Sequence, residues 1–218
     1  MAQRLIVATR NEHKLRELAE ILAGVELVAL PDGIELPPES GETFAANALA
    51  KARAARAATG EAAIADDSGI EAAALGGRPG VRSARYAGAD ATDEQNLARL
   101  IAELAGAEDR GAAYVCVIAH VGAGGDERAY EGRCEGELAA EPRGSGGFGY
   151  DPAFVPIDTG PDDRRTMAEL SPEEKHAISH RGRAARKLAA ALGVGPAGEM
   201  ARYPRSTRIR RQPGASGS

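Results

Sequence analysis

Tryptophan is absent, and the eight phenylalanine and tyrosine residues make up only 4% of the chain. A core with so few rings is filled by aliphatic and alanine side chains, which makes the position of each ring informative. Cysteine is nearly as scarce. Cys116 and Cys134 are the two in 218 residues, too few for the disulfide framework of a small secreted domain, and a chain of this length can bury a full core without one. Cys116 lies within an apolar run and reads as a small core residue. No apolar run approaches 18 residues, and the opening MAQRLIVATRNEHK soon turns polar, so neither a membrane span nor an ordinary signal peptide is expected. An excess of positive charge is also missing: the formal net charge of -5 argues against general attraction to nucleic acid or an anionic membrane. The expectation is a cytoplasmic protein in a reducing compartment, with no membrane association and no stable nucleic-acid complex. The charge is uneven, +4 over residues 199–218 against -9 over the remainder. The arginine-rich end RYPRSTRIRRQPGASGS therefore reads as a basic, disordered tail after a single domain spanning residues 1–198.

What the chain does contain is a series of short apolar strands that run into polar turns, alternating with helical patterns. In AAIADDSGI, Ala62 to Ile70, four small or apolar residues lead into two adjacent acids, a hydroxyl and a glycine. This is the pattern of a buried strand presenting carboxylates at its C-terminal tip, where ligands sit in open α/β sheets. Asp66 and Asp67 would repel in one dry site, so a divalent cation is one reading; a helix N-cap or Asx turn is the other. The strand Arg4 to Ala8 leads through Thr9, Arg10 and Asn11 into a helix over Glu12 to Ala23. That turn offers either a phosphate cradle with Lys14 one turn in, or a plain N-cap with a solvated lysine. Val25 to Leu30 reads as a strand, and Thr43 to Thr59 as a helix with a small-residue face of Phe44, Ala48, Ala52 and Ala55. On that helix Asn47 and Lys51 are four apart and point the same way, just after Glu39 and Glu42.

Further along, Gly76 to Gly88 reads as a Gly- and Pro-rich loop with three arginines, and Asp90 to Ala105 as a helix. Gly111 to Val121 is a continuously apolar strand, and Gly122 to Gly125 a hairpin turn. Short strands are expected at Arg128 to Tyr130 and around Gly136 to Ala139. Three of the eight rings, Phe148, Tyr150 and Phe154, fall in FGYDPAF after the mobile Gly144 to Gly147. A ring on such a turn either stacks on a planar group or plugs the loop into the core. Ser171, Pro172 and Glu174 begin a capped helix predicted to reach about Leu192, with Lys175, His176, Ser179 and His180 close together on one polar face.

Six of these segments, TRNEHK at Thr9 to Lys14, ESGETFAANALAKA at Glu39 to Ala52, ADDSG at Ala65 to Gly69, PGVRSARYAG at Pro79 to Gly88, GGFGYDPAF at Gly146 to Phe154 and EEKHAISHRG at Glu173 to Gly182, occur in one order. Together they resemble the inosine triphosphate pyrophosphatase (HAM1 NTPase) family over roughly residues 3 to 193. The resemblance implies an elongated, two-lobed α/β fold with a mixed sheet, an active-site cleft between the lobes and a homodimer. It also implies Mg2+-dependent hydrolysis of the purine nucleoside triphosphates ITP, dITP and XTP to monophosphate and pyrophosphate, which keeps them out of nucleic acid.

Carried onto this sequence, the resemblance makes Glu39, Asp66 and Asp67 the metal-binding acids, with Asp67 as catalytic acid/base. It places Thr9, Arg10, Asn11, Glu12, His13, Lys14, Asn47, Lys51 and Ser68 against the substrate. Phe148, Gly149, Tyr150, Asp151, Lys175, His180 and Arg181 complete the nucleotide pocket. In that reading Lys14, Lys51 and Lys175 share the phosphate charge, Phe148 stacks on the purine, and His180 or Arg181 donates to its 6-oxo group. Ala46 departs from the pattern, in which an acid commonly precedes the Asn-Ala pair. A diphosphatase for damaged pyrimidine nucleotides and a non-catalytic nucleotide-binding regulator are the competing expectations.

Overall fold

The computed structural model describes residues 3–194; the expected basic tail over 199–218 lies outside the described residues. In chain order the helices and strands are β1 (Arg4–Val7), α1 (Glu12–Ile21), β2 (Glu26–Ala29), α2 (Phe44–Thr59), β3 (Ala63–Ala72), α3 (Asp93–Glu103), β4 (Gly111–Val121), β5 (Glu127–Leu138), β6 (Phe154–Pro156), α4 (Pro172–Ile178) and α5 (His180–Ala191). The strands form one sheet in the order β2-β1-β3-β4-β5-β6. β1 runs parallel to β2, with Val7 opposite Ala29, and parallel to β3, with Val7 opposite Ile64. β6 is antiparallel to β5, with Leu138 opposite Phe154. The mixed-sheet α/β class that the resemblance implies is the class observed.

The described chain divides into two compact units. The first draws on residues 3–67, 117–131 and 184–194. Its core holds Leu5, Ile6, Val7, Leu18, Leu27, Val28 and Ile64, together with Ala48, Ala52 and Ala55 of α2, all fully buried. Those alanines let α2 lie close on β1, as its small-residue face implies. Thr43 caps α2 by accepting from the Ala46 N–H. The second unit, residues 68–116 and 132–183, has a core of Ile70, Leu97, Leu100, Leu104, Leu138, Phe154 and Met167 with the rings of Tyr86, Tyr114 and Tyr150. Here α3 begins at a Thr92–Gln95 capping box rather than at Asp90 as expected, and α4 at the Ser171–Glu174 box with Pro172 in its first turn, as the sequence signals.

Three further elements differ from expectation. The acids do not end β3; the strand continues to Ala72. The parallel neighbour is what ends: β1 stops at Val7, and the bond from Ala8 N to Ile64 O (2.7 Å) lies just before Asp66. Second, the two short strands expected after the hairpin are one twelve-residue strand, β5. From Gly132 onward, Gly132, Cys134, Gly136 and Leu138 are buried in alternation, and glycine hides that alternation from a hydropathy reading. Gly136 leaves room where a Cβ would sit 2.4 Å from the Val155 carbonyl oxygen and 2.6 Å from the Phe154 ring. Third, the helix expected from Ser171 to Leu192 breaks at Ser179, which has extended backbone (φ -62°, ψ 150°). The Ser179 N–H closes α4 on the Lys175 carbonyl, while its hydroxyl accepts from the Gly182 N–H (3.0 Å) inside α5. One serine thus caps both helices, the competition with continuous helix that short polar side chains offer.

Candidate active site

In the first unit the turn after β1 is self-supporting. Thr9 Oγ1 accepts from the Asn11 N–H (3.1 Å), and Asn11 Oδ1 accepts from the N–H groups of His13 (2.9 Å) and Lys14 (3.1 Å), capping α1. Arg10 donates to the carbonyls of Leu30 (2.9 Å), Pro31 (2.9 Å) and Ile34 (3.0 Å), so its guanidinium pins the loop after β2. Thr9, Arg10, Asn11 and Glu12, with Leu15, Ala29, Leu30 and Asp32, line a cavity of about 210 Å³. His13 stands exposed in the first turn of α1.

Beside this turn lies a network of buried charge. Successive strand residues face opposite sides of the sheet, and the two aspartates have different partners. The Asp66 carboxylate meets Lys14 Nζ (3.1 Å), whereas Asp67 Oδ2 accepts from Asn47 Nδ2 (2.8 Å). Asn47 Oδ1 in turn accepts from the Gly41 N–H (2.8 Å), so one α2 side chain fixes both Asp67 and the loop that carries Glu39. Lys51 Nζ donates to Glu39 Oε1 and to the Asp66 carbonyl oxygen (2.7 Å). Burial opposes the Lys51 charge and is the largest single influence on it, but Asp66, Glu39 and Asp67 together outweigh burial and raise its pKa. The Asp67 carboxyl is held above the usual carboxylate range, first by burial and then by Glu39, against the pull of Lys51, Asn47 and Lys14. A buried acid with a raised pKa, tethered by one amide and flanked by two lysines, is equipped to accept a proton at a phosphate centre.

In the second unit Asp151 is the hub. Its buried carboxylate accepts from the Phe148 N–H (2.9 Å) and from Lys175 Nζ (2.9 Å). Gly147, at φ +73°, leaves space where a Cβ would stand 2.1 Å from Asp151 Oδ2. The half-buried Phe148 ring has Lys175 Nζ 5.2 Å and Arg181 Cζ 5.8 Å from its centroid. Arg181 is almost wholly buried and donates to Ser68 Oγ (3.0 Å). Tyr150 and Phe154 belong to the core: Tyr150 Oη donates to the Ser83 carbonyl (2.8 Å), and Phe154 lies against Tyr114. Of the three rings in FGYDPAF, Phe148 is the one left partly accessible.

Two contributors escape sequence reasoning. Asp93, in the first turn of α3, accepts from the Gly149 N–H (2.8 Å) and fixes the aromatic turn from outside it. Tyr114, inside the apolar run of β4, stacks on His180 with centroids 4.6 Å apart and planes 7° from parallel, and its hydroxyl bonds to Asp151. Burial and the Asp151 carboxylate hold that hydroxyl well above the ordinary tyrosine range, so it remains a donor. The available signals are an acid at a helix start and a hydroxyl in an otherwise apolar strand, which must find a buried partner.

Comparison with known proteins returns one consistent family. The Ham1 family model matches residues 5–191. A dITP/XTP pyrophosphatase from Mycobacterium tuberculosis is 51% identical over 201 residues, covering 88% of this chain and 96% of the relative. One from Geobacter sulfurreducens is 49% identical, covering 87% and 96%. Among solved structures, a HAM1 protein from Coxiella burnetii superposes with a TM-score of 0.78 at 42% identity, covering 88% of this chain and 98% of that one. A nucleoside-triphosphatase / dITP/XTP pyrophosphatase from Mycobacterium abscessus gives a TM-score of 0.69 at 48% identity, covering 87% and 99%.

Proposed function

The chain belongs to the Ham1 family, and from that premise we propose that it hydrolyses the deaminated purine nucleoside triphosphates dITP, ITP and XTP to the monophosphate and pyrophosphate. The observation that carries this reading is about half identity, over nearly the whole chain, to relatives named for that activity. The two constellations of side chains support a division of labour. Acids and lysines of the first unit suit a triphosphate, and the ring, arginine and histidine of the second suit a base.

A nucleotide pyrophosphatase generally works with a divalent metal, and we assign Mg2+. Among the described residues no group of three or more His, Cys, Asp and Glu side chains is gathered for a metal. The pair Glu39 and Asp67 fits this ion, which takes one or two carboxylates and completes its shell with phosphate oxygens and water. Lys51 neutralises Glu39 here, as a competing cation does. Asp66, paired with Lys14, acts by holding that lysine toward the phosphates. When bound, Mg2+ supplies positive charge to the phosphate oxygens.

The chain's own residues do the rest. Asp67 takes the proton from a water whose oxygen bonds to the α-phosphorus as the bond from that phosphorus to the bridging oxygen breaks and pyrophosphate leaves. Lys14 and Lys51 stabilise the charge that develops there. Phe148 stacks on the base, with Lys175 and Arg181 beside the ring. His180 and Arg181 donate to the 6-oxo oxygen, an arrangement that leaves donors unpaired against adenine.

The test is pyrophosphate release from ITP, dITP and XTP against ATP and GTP, with and without Mg2+. Comparable turnover of ATP overturns the specificity, and full activity in chelator overturns the metal assignment. A homodimer in the cytoplasm is part of the same reading, and sedimentation velocity checks the dimer.

A further inference from the structure

We propose that Tyr114 is a positioning residue for base discrimination: its ring is the platform that sets the His180 imidazole. The inference rests on the functional reading above. His180 is buried and begins α5, immediately after the break at Ser179, so the helix ahead of it does not carry its ring into place. Its orientation comes from the face-to-face stack on Tyr114, 4.6 Å between centroids and 7° from parallel.

Tyr114 is itself fixed on two sides. The Phe154 ring lies 4.6 Å away at 54°, and the Tyr114 hydroxyl bonds to Asp151, the carboxylate that also receives the Phe148 N–H and Lys175. One buried side chain therefore touches both the imidazole and the carboxylate that supports the stacking ring. An imidazole donor discriminates a 6-oxo from a 6-amino purine only while its N–H is aimed within hydrogen-bond geometry, and a flat neighbour removes the rotation that would spoil that aim. The ring carries this role, so the conservative variant preserves it.

The decisive set is Tyr114→Leu, which removes the ring, against Tyr114→Phe, which keeps it. For Tyr114→Leu the expected result is a KM for ITP raised about 10-fold or more, an ITP-to-ATP preference reduced by a similar factor, and kcat within about threefold of wild type. Tyr114→Phe restores all three to within about threefold. A second readout is independent of turnover: the His180 ring protons, assigned with His180→Gln, resonate upfield in wild type and Tyr114→Phe through the facing ring and lose that shift in Tyr114→Leu. A folded Tyr114→Leu with unchanged KM and preference overturns the proposal, as does an unshifted His180 signal in the wild type. If Tyr114→Leu does not fold, Tyr114→Met, unbranched and close in volume, is held to the same criteria. Failure of the wild type to release pyrophosphate from ITP overturns the functional reading instead, leaving the resonance test to judge the stack.

Discussion

Asp67 holds its proton more tightly than a free carboxyl because water has been removed around it and Glu39 stands nearby. The sign of the consequence for stability follows from linkage. Between the unfolded carboxylate pKa, about 4, and the raised folded value, the folded protein binds more protons, so stability falls as pH rises through that window. At neutral pH the ionised Asp67 is a standing cost. Asp67→Asn keeps an acceptor for the Asn47 amide and removes the charge. Metal-free Asp67→Asn is therefore expected to melt above wild type at pH 7.5, with the gap narrowing toward pH 4.5, while turnover falls about 10²- to 10⁴-fold. Calorimetry in chelator and a pyrophosphate assay check the two halves; a wild type at least as stable at pH 7.5 removes the electrostatic account. The thiol of Cys134 shows the opposite use of burial. With Asp158 adding to the effect, it is pushed up to about 12 and is inert packing at physiological pH.

At the scale of elements, helix starts and small-residue faces were legible because each is written in a few adjacent residues. Ser171 and Glu174 box the start of α4 as their spacing signals and β4 runs over the eleven residues its apolar stretch marks, whereas α3 starts from Thr92 and not from Asp90. Continuity was harder to read. β3 continues past Asp66 to Ala72 although its partner β1 has already ended at Val7, and β5 runs unbroken through Gly136, where Phe154 packs too closely for a Cβ. The break at Ser179 was equally hidden, since a serine inside a helical pattern is compatible with either outcome until its hydroxyl finds the Gly182 N–H. Gly136→Ala tests the packing directly. With a new methyl 2.4 Å from the Val155 carbonyl, the expected loss is about 1–3 kcal/mol, read from urea unfolding with an unchanged m-value. A loss below about 0.5 kcal/mol means that β6 can shift away from β5 at little cost.

For the whole molecule, the residues that the sequence marked as chemical fall into two bonded groups, one in each unit, and the division was not readable from order along the chain. Ser68 follows Asp67 directly, yet Asp67 bonds to Asn47 of α2 while Ser68 accepts from Arg181 of α5. Arg10 and Tyr150 sit inside recognisable motifs but spend their polar groups on backbone carbonyls, because a motif records adjacency and not the partner each side chain meets. Ligand should stabilise the fold as a whole. A slowly hydrolysed ITP analogue at 100 times its Kd contributes about 2.7 kcal/mol, which at this chain length raises the Tm by roughly 5–10 °C. Chelator is expected to cut that shift by more than half, and an equal shift with and without Mg2+ places the triphosphate on the lysines alone.

The series Gly136, Phe154, Tyr114 and His180 has a consequence for how this protein can change over generations. Under the role proposed for Tyr114, preference among nucleotides is tied through packed rings to the interior of a strand, so a screen for altered substrate choice should recover variants at buried positions that never meet the nucleotide. Those variants would carry a folding defect as their companion trait. On that proposal, drift in the core and drift in fidelity are a single event at Gly136, Phe154 and Tyr114.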